Sequence, residues 1–258
     1  MSSGFAAGTL EVSGCSVTLK RGGAGRPLLY LHGAGGAPAI QPFMEALARE
    51  FDVLVPEHPG FGGSDEPEWL DNIHDLAYFY LDFMERLELR DAIVIGSSIG
   101  GWIALEIAVR NASRIRALSL VAPSGIHVAG LAKGDVFLWP PEDRVRKLFF
   151  DQSVAERILA QPPSAQDTAE KNLHALARLA WEPRFYDPHL AKWLHRIKLP
   201  LHIVWGEEDR LLAPGYAAEY KKLIPHARVD IVPQCGHLPQ SEKPEAYLRL
   251  FREFAATV

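Results

Sequence analysis

The sequence is poor in cysteine: Cys15 and Cys235 are the only two, far apart in the chain. They match no metal-ligand spacing and read as reduced thiols of a cytoplasmic protein. No run of about 18 apolar residues occurs, so a membrane span is not expected. Met1 to Leu10 carries neither a basic stretch nor a sustained apolar one, and no signal peptide is visible there. Positive charge is not in excess. The 27 Lys and Arg residues stand against 32 Asp and Glu, a formal net charge of −5, which argues against a nucleic-acid or anionic-membrane surface. Neither an internal repeat nor a low-complexity tract appears. What remains is ordinary globular material: 258 residues, 48% hydrophobic and 23% charged, enough for one large domain or a domain with an insertion. A small molecule is the expected partner.

The most informative stretch is Ala92 to Gly101. Ala92-Ile93-Val94-Ile95 has the apolar, β-branched character of a buried parallel strand. Gly96-Ser97-Ser98-Ile99-Gly100 follows, and from Trp102 onward Ile103, Leu105, Ile107 and Ala108 fall at helical spacing. This predicts a strand, a very tight turn and a helix, with Ser98 at the apex in a strained backbone conformation. Only residues with little or no Cβ bulk fit two positions either side, hence Gly96 and Gly100. A plain glycine turn with an incidental serine would look the same locally, so the rest of the chain has to decide.

Before this stretch, alternation around Ser13-Gly14 predicts an antiparallel hairpin at a sheet edge. Leu28–Leu31 reads as a buried strand ending in the loop His32-Gly33-Ala34-Gly35-Gly36. That loop lacks the spacings of phosphate-binding motifs. A short helix around Phe43–Leu47, the strand Val53–Val55, a turn-rich loop Pro56–Asp65 and an amphipathic helix from Ile73 to Leu87 come next, the last with Asp71 or Asn72 as its cap. After the Ser98 turn and its helix comes the strand Ile115–Val121. Strands alternating with helices through short loops predict a doubly wound parallel sheet.

The alternation breaks at Pro123, and the next strand, Leu201–Trp205, arrives nearly 80 residues later. A crossover helix needs far less. Helical patches at 142–150, 153–160, 165–181 and 187–196, punctuated by Pro140-Pro141 and Pro162-Pro163, are rich in aromatic side chains. They read as an inserted helical cap, residues 124–199, with the core formed by 1–123 and 200–258. Helices packed on the sheet face without a lid role are the alternative. A helix over 215–223, a strand over 228–232 and a closing helix over 244–256 complete the chain.

Three polar groups now sit in loops after parallel strands: Ser98, the acidic cluster Glu207-Glu208-Asp209, and His237. Such loops gather along one sheet edge, where ligands bind. A serine hydroxyl needs a base to become a nucleophile, an imidazole can serve near neutral pH, and a carboxylate on its second nitrogen fixes the tautomer. Spacing alone leaves all three acids open. The remaining histidines lack partner spacing; His32 and His58 read as holding loop backbone, while His74, His202 and the others read as core or surface residues. Trp102 reads as packing.

With the His32-Gly33 loop, Pro59-Gly60-Phe61-Gly62, the Gly96-x-Ser98-x-Gly100 turn, Gly206-x-x-Asp209 and Gly236-His237 in this order, the chain resembles the α/β-hydrolase superfamily over essentially its full length. The resemblance implies an α/β fold with a mostly parallel central sheet, helices on both faces and an inserted helical cap. It also implies Ser98 as nucleophile, His237 as general base, Asp209 as the orienting acid, and the backbone N–H groups of Ala34 and Ile99 as oxyanion hole. Relatives that displace halide or open epoxides carry an aspartate in place of Ser98. Relatives that cleave C–C bonds of ring-fission products usually carry tryptophan after the histidine, where this chain has Leu238. The expected reaction is therefore hydrolysis of a small, largely hydrophobic carboxylic ester through an acyl-enzyme, with no metal or organic cofactor. C–C hydrolysis of a ring-fission-type diketone, or ligand binding without catalysis, are the alternatives.

Overall fold

Six consecutive residues, Ala92–Ser97, are fully buried and form strand β5, the middle of an eight-stranded sheet. The computed structural model describes residues 4–161 and 163–258; Pro162, one of the expected punctuating prolines, lies outside them. The chain enters through an exposed hairpin, β1 (Phe5–Val12) and β2 (Cys15–Gly23), turning at Ser13-Gly14. β2 pairs antiparallel with β4 (Phe51–Pro56), and every later pairing is parallel: β3 (Arg26–Leu31), β5, β6 (Ile115–Val121), β7 (Leu201–Gly206) and β8 (Arg228–Val232). The spatial order is β1-β2-β4-β3-β5-β6-β7-β8. The chain therefore winds outward from β3 to β4 and then returns to the other side of β3 with β5. The strand order reverses there, a topological switch point at the carboxyl ends of β3 and β5.

Helices cover both faces. On one, α1 (Pro42–Leu47) and α10 (Pro244–Ala255) bury Phe43, Tyr247 and Phe251 against the sheet. On the other, α2 (Ile73–Arg86) packs on α3 (Ile99–Arg110). Of the two cap candidates for α2, Asn72 is the cap. Its Oδ1 accepts the N–H groups of His74 and Asp75 at 2.8 and 3.2 Å, and Asp75 reciprocates on the Asn72 N–H. α3 is buried nearly all round, which is why its sequence shows no polar face.

Between β6 and β7 the helices are α4 (Pro141–Leu148), α5 (Gln152–Leu159), α6 (Pro163–Ala180) and α7 (Leu190–Trp193), the last continued by a 3₁₀ turn to Arg196. This segment is tied to the core at loops beyond the strand ends. Asn172 accepts the Gly62 N–H at 2.9 Å and donates to Gly35 O at 3.0 Å. Leu148 O accepts the His237 N–H at 2.8 Å. α8 (Gly215–Leu223) follows β7. The sequence reading missed one element, α9 (Pro239–Glu242), a single turn too short to show periodicity.

Candidate active site

Parallel register brings the ends of β3, β5, β6, β7 and β8 to one edge: Leu31 pairs with Gly96, Ser97 with Val121, Val121 with Val204 and Gly206 with Val232. The loops beyond these pairs carry the residues singled out above.

Ser98 adopts φ 55° and ψ −114°, a conformation that L residues rarely take and that costs on the order of 1–3 kcal/mol. The fold holds it there from several sides. Its N–H donates to Val121 O at 2.9 Å, and its carbonyl accepts from Gly101, Trp102 and Ser124 at 3.0, 3.2 and 3.1 Å. Glycine is required on both flanks. A Cβ on Gly96 would stand 2.5 Å from Gly100 O, and one on Gly100 would stand 2.1 Å from Leu31 O.

Asp209 and His237 meet. His237 Nδ1 lies 2.7 Å from Asp209 Oδ2, while Oδ1 accepts the N–H groups of Leu211 and Leu212 at 2.8 and 2.9 Å. Both side chains are buried, whereas Glu207 and Glu208, the competing acids, are exposed. An ionised Asp209 makes Nδ1 the protonated nitrogen, so Nε2 carries the lone pair. Nε2 is buried and has no hydrogen-bond partner among the described residues; in particular no hydrogen bond joins it to Ser98. The two loops are nevertheless neighbours. Gln240, three residues past His237, donates from Nε2 to the Oγ of Ser97 at 3.0 Å. Sequence reasoning missed this tie, since nothing in the local pattern marks Gln240 or Ser97.

The loop after β3 lies against the same turn: a Cβ on Gly33 would stand 3.4 Å from Ser98 Cβ. Ala34 and Ile99 line one cavity with Ser98, and neither backbone N–H donates to any group among the described residues. The N–H of Ile99 also opens α3, where the helix dipole favours negative charge. His32 and His58 brace this loop. His32 Nε2 accepts the His58 N–H at 2.9 Å, which leaves Nδ1 to donate to Gly33 O at 2.7 Å. His58 donates from Nε2 to His32 O at 2.9 Å and accepts from Tyr80. Burial pushes His32 down to about 4 and His58 well below the ordinary 6.5, so both are neutral braces.

The cavity at Ser98 is walled by Val136, Leu176, Phe185, Leu211 and Leu212 and has a volume of about 30 Å³. Small-molecule pockets typically run to roughly 300–1,000 Å³. Two polar residues, Ser124 and Lys133, share its lining. The sequence reading singled out neither.

Two other polar clusters involve histidines expected to lack partners. On β6, β7 and β8, Ser119 Oγ lies 3.3 Å from His202 Nδ1, whose Nε2 lies 2.9 Å from Asp230. Ser119 and His202 are wholly buried, so no substrate reaches them. His74, Glu106 and Asp187 bring ligand atoms within 4.8 Å of one another. Glu106 is already taken by Trp102 at 3.0 Å and by the Arg110 guanidinium, which also bonds His74, so a metal ion would face a fixed cation.

Comparison with known proteins agrees with the architecture. The model of the Alpha/beta hydrolase family matches residues 28–250. The 2-hydroxymuconate semialdehyde hydrolase of Pseudomonas sp. (strain CF600) is 27% identical over 270 residues, covering 95% of this chain and 92% of that protein. Lipase 1 of Psychrobacter immobilis is 25% identical over 238 residues, covering 85% and 73%. Among solved structures, a meta-cleavage product hydrolase from Pseudomonas fluorescens IP01 superimposes with a TM-score of 0.79 at 22% identity, covering 97% of each chain. A thermophilic esterase from Thermogutta terrifontis gives 0.72 at 21% identity, covering 98% of each. With a match that runs from β3 into the closing helix, this chain belongs to the alpha/beta hydrolase family.

Proposed function

We propose that the chain is a serine hydrolase with Ser98 as nucleophile, His237 as general base and Asp209 as its orienting acid. One observation carries this reading. The buried Asp209–His237 pair leaves a basic nitrogen with no partner among the described residues, on a loop joined to the serine turn through Gln240 and Ser97. In the reaction, Nε2 takes the Ser98 hydroxyl proton as Oγ attacks the substrate carbonyl. The imidazolium is stabilised by Asp209. The carbonyl oxygen, now negative, takes the free N–H groups of Ala34 and Ile99, each such donor contributing about 2.7–4 kcal/mol. Collapse expels the leaving group with the proton from His237 and leaves an acyl-enzyme, which a water activated by His237 hydrolyses.

The substrate proposed is a small, largely hydrophobic carboxylic ester, because the lining beside Ser98 is mostly aliphatic and aromatic. Residues 124–199 would act as a cap that moves outward to admit it, since about 30 Å³ is far below a substrate's volume. We place the protein in the cytoplasm, where the two buried free cysteines stay reduced. A second reading, hydrolysis of a C–C bond in a vinylogous diketone, is favoured by the several relatives named as hydrolases of 2-hydroxy-6-oxo-dienoates. Leu238 stands against it. Rates on a series of p-nitrophenyl esters and on a vinylogous 1,5-diketone, each with Ser98→Ala as control, separate the two. Ester turnover that Ser98→Ala abolishes supports the first reading. A clear preference for the diketone reverses it.

A further inference from the structure

Three consecutive residues of α9, just past the His237 loop, each bind a different part of the molecule. Gln240 reaches Ser97 beside the serine, and Ser241 Oγ donates to Gln41 Oε1 at 2.7 Å, at the start of α1. Glu242 joins the His237 loop to the segment between β6 and β7, a task the triad does not explain. Its Oε2 accepts the Gly236 N–H at 2.6 Å. Its Oε1 accepts the N–H of Asp151, the residue that opens α5, at 2.5 Å. The Cys235 thiol also donates to Oε2, at 3.6 Å. A carboxylate that holds two main-chain N–H groups makes a stiff bracket, since charge strengthens both bonds and neither donor has a rotamer to change.

The two segments that Glu242 joins lie directly against each other. A Cβ on Gly236 would stand 2.4 Å from Leu148 O and 2.9 Å from Phe149 Cα, so no side chain fits between loop and segment. On the other side, a Cβ on Gly206 would stand 1.9 Å from Gly236 O. The Gly236 peptide is thus pressed between the end of β7 and residues 148–150. The next peptide completes the contact, with the His237 N–H donating to Leu148 O at 2.8 Å. Leu148 is only three residues from the Asp151 N–H that Glu242 holds. One side chain therefore fixes the loop from Gly236 and fixes, from Asp151, the carbonyl on which the His237 backbone rests.

We propose that Glu242 is a positioning residue for His237: it locks the edge of the cap at 148–151 onto the loop and so aims the imidazole at Ser98. This rests on the reading of His237 as general base. Glu242 acts through backbone placement and meets neither substrate nor the reacting atoms. The arrangement also ties catalysis to the state of the cap. Outward movement at this edge would carry away the acceptor of the His237 N–H, so the base is seated only while the cap is closed.

Kinetics on an activated ester and the rate of fluorophosphonate labelling test this together. Glu242→Gln keeps one acceptor and turns an amide N–H toward the other donor. It should lower kcat and the labelling rate by about 10–100-fold, the scale of a small misplacement of a reacting group, with KM within about twofold. In a His237→Ala background Glu242→Gln should change the residual labelling rate by no more than about twofold, because the group it positions is gone. A second pair cuts the bracket from its far end. Asp151 lies at φ −75°, within the range of proline, so Asp151→Pro removes the N–H and Asp151→Ala removes only the side chain. Asp151→Pro should lose more kcat than Asp151→Ala. Wild-type rates in folded Glu242→Gln, equal slowing with and without His237, or equal losses in the Asp151 pair overturn the proposal and leave Glu242 a structural tie. Amide hydrogen exchange separates it from the reading of the base. If His237→Ala labels as fast as wild type, His237 is not the base. Faster exchange at residues 236, 237 and 151 in Glu242→Gln then upholds the bracket alone, and unchanged exchange overturns the bracket as well.

Discussion

Asp209 divides its carboxylate between two tasks: Oδ1 is held by the N–H groups of Leu211 and Leu212, and Oδ2 stands 2.7 Å from His237 Nδ1. The backbone bonds fix the acid, and the fixed acid sets the tautomer and plane of the imidazole. An amide at this position keeps one acceptor for the backbone but turns a donor or a misoriented oxygen toward Nδ1. Asp209→Asn is therefore expected to lower kcat by about 10³–10⁴-fold, the scale seen when a triad acid is replaced by its amide. Glu207→Gln and Glu208→Gln, on exposed side chains, should stay within about twofold. Steady-state kinetics on one activated ester checks this, and equal losses at the three positions would overturn the assignment.

The wall over Ser98 should govern acyl length. Leu176 is fully buried in α6 and lines the cavity. Leu176→Ala should shift the preference among p-nitrophenyl esters from acetate toward hexanoate, at a stability cost of about 2–5 kcal/mol. An unchanged chain-length profile in a folded variant would show that the acyl group lies elsewhere.

The serine turn tolerates no side chain at Gly100. A Cβ there would stand 2.1 Å from Leu31 O, a main-chain atom inside the sheet that has no rotamer to change. Gly100→Ala should cost about 3–5 kcal/mol or prevent folding. Gly8→Ala, where a Cβ meets nothing within 4 Å, should be close to neutral. Urea denaturation compares the two.

Three buried imidazoles set an acid limit on stability. Burial pushes His32 and His202 down from 6.5 to about 4, and burial together with His32 pushes His58 well below 6.5. Between about 6.5 and about 4 the unfolded chain binds protons that the folded chain refuses, so stability is complete above 6.5 and falls as pH drops through that window. Each group contributes about 1.4 kcal/mol per pH unit while it titrates in the unfolded state only. Unfolding free energies from pH 7.5 to 4.5 should show this slope, reduced by one proton in His202→Asn. A flat profile would contradict it.

Much of this molecule was legible in the sequence because its signals are local. The β-branched run before Gly96 marks a central strand, and α8 and β8 fall where periodicity puts them, at Gly215–Leu223 and Arg228–Val232. The excess length between β6 and β7 likewise announced the helical segment. What stayed hidden depends on long-range contact. His202 finds Ser119 and Asp230 only because three parallel strands come into register. Gln240 reaches Ser97 across 143 residues. Lys133 and Ser124 belong to no motif, and their relation to Ser98 arises from backbone bonds made after the sheet forms.

Reaction with a fluorophosphonate tests the proposed nucleophile most directly. Mass spectrometry of the digested, labelled protein should find the adduct on Ser98, with labelling lost in Ser98→Ala and strongly slowed in His237→Ala. A folded wild-type protein that takes no label, or takes it equally after Ser98 is removed, would contradict the central claim.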